Sequence, residues 1–347
     1  MKFEKRTIDG HTHLYEWYDK NGNDFFSMYD NLQKNTGAKA MAISSITTRP
    51  YAGVDINMMA AIYKLHNPSA YAQAGIVYPS FPAKTPFPEG MESSAQYKEL
   101  MELGFDGIKI LFKPDVQKYI GLPMNDSYYN GFFAAAQKDN TPILWHIADP
   151  QYYWDKDYTG QWSYADGTYI SYDETYKQVF DILDRYPKLN VIFAHFMFLS
   201  DRLDRLEEIF KKYENVKVDM TPGTEMYVNF NKDMKRSREF LEKYAGRLVF
   251  GTDAELPGNE NVQNLMESVY EEITTDNEVT IWGPKVRGLK LSDSACDKIL
   301  YSNFVREYGE KPKKISKDAL KRYIEKYGHL IRNETNKKMI LEYAKTL

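Results

Sequence analysis

An α/β barrel of eight parallel strands is the fold this sequence predicts, and three observations carry the prediction. Short apolar runs alternate with longer amphipathic stretches along the whole 347-residue chain. Several of those runs are almost wholly apolar, as strands buried on both faces of a parallel sheet must be. The Gly-rich first turn that marks a doubly wound open sheet is missing. Right-handed crossovers then close the alternation into a (β/α)8, or TIM, barrel.

The strands read, in order, as 5–8, 40–46, 71–77, 107–112, 143–147, 191–194, 216–220 and 248–250. They are runs of three to seven residues, most of them rich in Ile, Val, Ala or aromatics and bounded by polar or turn-forming residues. Between them the helical period appears at 54–65, 95–103, 128–138, 174–186, 201–213 and 232–244. In 201–213, Leu203, Leu206, Ile209 and Phe210 fall at the three- and four-residue steps of one helix face. Two additions enlarge the barrel. Residues 150–172, after the fifth strand, hold eight aromatics: Tyr152, Tyr153, Trp154, Tyr158, Trp162, Tyr164, Tyr169 and Tyr172. Residues 254–293, after the eighth, are too long for a turn and read as containing a helix near 262–272. The expected division is a barrel over 1–308 and a helical C-terminal extension over 309–347, packed on it. The basic residues Lys311, Lys313 and Lys314 in the connector between them read as a solvated linker.

Composition narrows the partners. With 49 acidic and 45 basic side chains the net charge is −4, which excludes the basic footprint of a nucleic-acid binder. One cysteine excludes an internal disulfide and suits a reducing, cytoplasmic compartment. The polar residues 1–10 show no signal-peptide core, and no apolar run reaches the roughly 18 residues of a membrane span. The expected ligand is therefore a small molecule.

Barrel active sites lie at the C-terminal ends of the strands, and the histidines collect there. Strand one runs through Thr7-Ile8-Asp9-Gly10 into His11-Thr12-His13. Histidines at i and i+2 on extended backbone project to one side, so both imidazoles can reach one cation. Strand five ends in Trp145-His146, strand six in Ala194-His195, and strand eight in Gly251-Thr252-Asp253. A lone strand-end histidine is more often a hydrogen-bonded core residue; the shared position of all four argues for one site. His66 and His329 have no such placement and read as a cap and an extension residue. Cys296 has no histidine nearby in sequence and reads as a buried thiol rather than a nucleophile. With a single cysteine in the chain, the metal would be held by nitrogen and oxygen, which suits a hydrolytic zinc better than a structural one.

Asp9-Gly10-His11-Thr12-His13, His146, His195 and Gly251-Thr252-Asp253 resemble the amidohydrolase superfamily. The closer resemblance is to its amidohydrolase 2 branch, which includes aminocarboxymuconate semialdehyde decarboxylase and related lactonases. Lys298-Ile299-Leu300 with Asn303-Phe304 resembles that branch's closing helix, so the likeness spans about residues 7–308. The resemblance implies that His11, His13, His146 and Asp253 bind one divalent metal ion, zinc or alternatively manganese. His195 would then be the proton carrier beside it, and Asp253 would accept a proton from metal-activated water. One departure stands out: Phe196-Met197-Phe198 follows His195, where the branch usually has a glycine-containing turn.

Other candidates keep two readings. Arg49, after strand two, either binds a substrate carboxylate bidentately or braces a loop. Lys109, inside strand four, reads as too deep for the metal-bridging role that binuclear members of the superfamily it resembles give this lysine; a single metal is expected, with Lys109 a substrate- or core-facing charge. Tyr152, Trp154 and Trp162 either shape a lid for a planar substrate or belong to a self-packed loop or dimer contact. The leading reading is a metal-dependent hydrolase of a carboxylated lactone, ester or amide. The alternatives are a non-oxidative decarboxylase on the same side chains and a non-catalytic metal- or ligand-binding barrel. The branch is often dimeric, so a homodimer is expected.

Overall fold

The computed structural model describes residues 2–47, 53–84, 90–258 and 261–347. Eight strands follow one another around the barrel: β1 (Ile8–Leu14), β2 (Ala40–Ser44), β3 (Tyr71–Gly75), β4 (Gly107–Leu111), β5 (Ile143–His146), β6 (Val191–Phe193), β7 (Val216–Asp219) and β8 (Leu248–Val249). A ninth, β9 (Ala254–Leu256), continues β8 after a break and pairs with the far side of β1. Every neighbour in the order β8-β7-β6-β5-β4-β3-β2-β1-β9 is parallel. The amide of Gly10 donates to the carbonyl of Phe250 (3.0 Å) and that of Asp253 to the carbonyl of His11 (2.9 Å), so β1 meets both halves of the interrupted strand and the barrel closes. The fold is the expected TIM barrel. No helix among the described residues is long and apolar enough to cross a membrane.

The strands are buried because helices cover their outer faces, and their inner faces meet one another. Ile8, Tyr71, Leu144, Ile192 and Val249 join Phe304 and Tyr308 in a buried cluster at the strands' starting ends. The helix Asn303–Tyr308 stoppers that end, held by the Asn303 amide group donating to the carbonyls of Ala245 (2.7 Å) and Leu248 (2.6 Å). The opposite end, where the strands finish, is left open for a site.

Several elements differ from the sequence reading for identifiable reasons. β1 does not stop at Ile8 but runs to Leu14, because β2 and β9 give the polar His-Thr-His stretch ladder partners on both sides. The expected helix 232–244 is observed as Met234–Lys243, capped by the Asp233 carboxylate accepting from the amide of Arg236, and a separate short helix, Met226–Lys232, precedes it. A further helix, Phe25–Thr36, is capped by Asp24, and its seven polar residues among twelve blur the apolar period that marks the other helices. After β9 come the helix Val262–Thr274 and an antiparallel hairpin, β10 (Glu278–Thr280) and β11 (Lys285–Arg287). The last helices, Lys317–Tyr327 and Glu334–Ala344, lie against Val54–His66. There the amide group of Asn336 donates to Asp55 (2.8 Å) and to the carbonyl of Tyr15 (3.0 Å).

Candidate active site

Alternation along β1 turns His11 and His13 to the same side, as it must on extended backbone. Their outer ring nitrogens are both occupied: Nδ1 of His11 lies 2.8 Å from Asp219 Oδ2, and Nδ1 of His13 lies 2.7 Å from the carbonyl of Ser44. Those acceptors fix the proton on Nδ1 in each ring. The two Nε2 lone pairs therefore face each other at 3.1 Å, and Asp253 Oδ1 lies 3.3 Å from one and 2.9 Å from the other. Two lone pairs and a carboxylate oxygen, all within 4.8 Å of one another, repel unless a cation sits among them. The set fits a divalent ion, with the other ring nitrogens anchored in the manner usual for metal-bound histidine. Burial, with the Lys109 charge beside it, holds His11 down to about 3, so its neutral ligand form persists into acid.

Backbone geometry brings Asp253 to this corner. Phe250–Asp253 break the last strand, and Asp253 adopts a left-handed φ of +59°. Gly251 allows the close approach: a Cβ there would lie 2.4 Å from Thr221 Oγ1 and 2.8 Å from the Cβ of His11. Asp9, beneath, accepts from the amides of His11 (3.1 Å) and Thr252 (3.2 Å), and burial pushes it up to about 7.

Lys109 reaches the same point from β4. Its ammonium donates to His11 Nε2 at 2.7 Å, so it sits on the ligand cluster and not below it, and burial brings it down to about 8. Asp219, which the sequence reading passed over, joins two parts of the site. One oxygen takes His11 Nδ1 and the other accepts from the amide of His195 at 2.7 Å. It occupies the last position of β7, so the positional rule that picked out the histidines also covers it.

His195 opens a turn that explains the missing glycine. His195, Phe196, Met197 and Phe198 all have left-handed φ, between +53° and +57°. Such a conformation costs an L residue roughly 1–2 kcal/mol. Here it is held by full burial of Phe196 and Met197, by the Asp219 bond, and by Tyr176 donating to the carbonyl of Met197 (2.6 Å). Nδ1 of His195 donates to the carbonyl of Pro222 (3.0 Å), which leaves Nε2 for the cavity. His146 stands 4.7 Å from His195 between ring centroids. It lies outside the tight His11, His13 and Asp253 group; its buried Nε2 has no well-aimed hydrogen bond, and the nearest carboxylate oxygen, of Asp149, is 3.5 Å away. Burial pushes this imidazole down to about 4.

These side chains line a cavity of about 390 Å³ at the open end of the barrel. His13, Lys109, His146, His195 and Asp253 form its floor, and Tyr15, Lys113, Tyr153, Trp162, Phe198, Glu255 and Trp282 its upper walls. Of the three aromatics expected to meet substrate, Trp162 lines the cavity, and Tyr152 and Trp154 do not. Tyr152 and Trp154 flank Tyr153 in the three-ten turn Gln151–Trp154, where successive side chains point about 120° apart. Tyr152 bonds Thr224 (2.8 Å) and Trp154 donates to the carbonyl of Ile170 (2.8 Å), while Tyr153 takes the inward place. Arg49 lies outside the described residues. Lys113 supplies a cation at the wall instead, 3.4 Å from Asp149 and 3.9 Å from the centre of the Trp162 ring.

A closed parallel barrel with histidines and a carboxylate converging where the strands end is the architecture of a barrel enzyme. The amidohydrolase family model of the second branch matches residues 8–309, and the chain belongs to that family. No curated protein matches it by sequence. Among solved structures it is similar to 2,6-dihydroxybenzoate decarboxylase bound to 2,6-dihydroxybenzoate, at 14% identity and a TM-score of 0.56, covering 89% of this chain and 99% of that one. It is similar to 5-carboxyvanillate decarboxylase from Sphingomonas paucimobilis, at 13% identity and 0.54, covering 87% and 98%. A third is a dihydroxybenzoic acid decarboxylase from Polaromonas sp. JS666 with bound manganese and 2-nitroresorcinol, at 15% and 0.55, covering 89% and 97%. At these identities the likeness is one of fold.

Proposed function

We propose that the chain is a metal-dependent, non-oxidative decarboxylase of a small conjugated carboxylic acid. The carrying observation is the ammonium of Lys109 placed on the His11, His13 and Asp253 cluster at the floor of an aromatic-walled cavity. The decarboxylases among the similar folds, one holding manganese, support the same reading over hydrolysis. His11, His13 and Asp253 would hold one divalent ion, manganese or zinc, with His146 the next donor available. When bound, such an ion polarises substrate oxygens and draws electron density away from a breaking bond.

The protein's own groups supply the rest. With the His11 lone pair engaged, the Lys109 ammonium is released to bind and orient a carboxylate. Lys113 adds a second positive charge at the wall. As the carbon–carbon bond breaks, its electron pair stays with the ring carbon, which takes the Nε2 proton of a doubly protonated His195; carbon dioxide departs and the imidazole is left neutral with its remaining proton on Nδ1. The Pro222 carbonyl steadies His195 in the orientation this transfer needs.

The test is turnover of the metal-loaded protein on hydroxylated aromatic acids such as 2,6-dihydroxybenzoate in deuterated water. The expected result is carbon dioxide release with deuterium at the vacated carbon. His195→Asn should slow it by roughly 100- to 10,000-fold while metal content is kept. Absence of carbon dioxide, with labelled oxygen entering the product of a carboxylated lactone, would establish hydrolysis instead, with Asp253 as the proton acceptor.

A further inference from the structure

Five large apolar side chains are exposed among the described residues: Phe81, Tyr152, Trp162, Trp282 and Leu341. Three of them gather at the open end of the barrel: Trp162 (44% exposed) and Trp282 (40%) line the mouth of the cavity described above, and Tyr152 stands beside it. The two tryptophans come from separate additions to the barrel. Trp162 belongs to the segment after β5 and Trp282 to the hairpin that follows β9, and in the ring β6 and β7 separate their parent strands.

The hairpin is built to hold its tip in place. Val279, Ile281 and Val286 are buried against the core. Asn231 grips the backbone of Arg287 on both sides, accepting from its amide (2.7 Å) and donating to its carbonyl (3.1 Å). Trp282 and Gly283 are the central residues of the turn Ile281–Pro284, closed by the amide of Ile281 donating to the carbonyl of Pro284 (3.1 Å), and their φ of +50° and +109° are both positive, as in a type I′ turn. That turn favours Asn-Gly; a bulky side chain with positive φ at its first position is an outlier. Strain of this kind, next to a cavity, marks a position kept for what it touches. Trp162, on the other jaw, is braced by the Lys113 ammonium 3.9 Å from its ring centre.

We propose that Trp282 and Trp162 form an aromatic clamp at the cavity mouth that selects a planar ring. This deepens the decarboxylase reading by naming the residues that choose the substrate's ring, and the choice of a ring-bearing acid rests on that reading. Two flat faces gain by stacking on a planar ligand what they cannot gain on a puckered one of equal charge and size.

Benzoate and cyclohexanecarboxylate separate these cases, titrated calorimetrically into the metal-loaded protein. Benzoate should bind about tenfold more tightly, the factor that about 1.4 kcal/mol of stacking confers. Trp282→Asn, which installs the favoured Asn-Gly turn, should weaken benzoate about tenfold, leave cyclohexanecarboxylate unchanged, and melt no lower than wild type. Trp162→Ala should show the same selective loss. Equal binding of the two acids, binding of neither, equal weakening of both, or no change in either variant overturns the clamp. The two readings fail separately. Ring-selective, tryptophan-dependent binding without carbon dioxide release refutes the decarboxylase and keeps the clamp; carbon dioxide release indifferent to both tryptophans does the reverse.

Discussion

At the cavity floor, His11, His13 and Asp253 stand on or beside strands, and each outer imidazole nitrogen is fixed by a buried acceptor. At the rim, Trp162 and Trp282 stand on an inserted segment and a hairpin tip, each more than a third exposed. The floor is preorganised by the ladder itself, so a substitution there disturbs the reacting groups directly. The rim is attached to the same scaffold but adds only surface. A barrel can thus keep one chemistry while its loops exchange substrates. If that division holds, floor variants should lose turnover and metal, and rim variants should lose only discrimination.

The largest effect is expected at the ligands. His11→Ala or Asp253→Ala should abolish stoichiometric metal binding and reduce turnover by roughly 1,000-fold or more, measured by elemental analysis and steady-state rates. Asp219→Asn tests the next layer, because it touches no substrate yet anchors His11 and His195. Metal affinity should fall about 10- to 100-fold in a competition titration, and unchanged affinity would break the claim that the floor is preorganised. At the rim, Trp162→Ala should raise KM for an aromatic acid about tenfold, with kcat and metal content kept. A fall in metal content there would erase the distinction between floor and rim.

The smallest effect concerns acid. His11 and His146 are held at about 3 and about 4 in the fold against an ordinary 6.5. The unfolded chain gains protons as pH falls through 6.5 while the folded one does not, so their contribution, complete above 6.5, declines toward pH 4. Their share is read as a difference between proteins: from pH 7 to pH 4.5 the melting temperature of the metal-free wild type should change less favourably than that of a variant lacking one of these imidazoles. His146→Asn should flatten part of that slope.

How much of this was legible depends on what each residue's signal was made of. The histidines and Asp253 announced themselves because a strand end is a position readable from the apolar run before it. Asp219 ends its strand in the same way, but a single carboxylate after Val216-Lys217-Val218 carries no pair or spacing to draw attention. The eight aromatics after β5 marked the segment but not its inward face. That face depends on a three-ten turn, which put Tyr153 where Tyr152 and Trp154 were expected. Lys109 looked too deep because strand-like residues follow it, whereas the barrel's inner face carries its side chain up to His11. The hairpin of Trp282 left almost no trace, since its strands are three residues each and Trp-Gly is not a turn pair sequence alone suggests.

The central claim is that one ion-binding corner, held by His11, His13 and Asp253, defines this site. Elemental analysis of manganese-loaded, desalted wild type beside His13→Ala tests it most directly. One equivalent per chain in the wild type and almost none in the variant is the predicted result. No metal in the wild type, or a full equivalent surviving in His13→Ala, would contradict it.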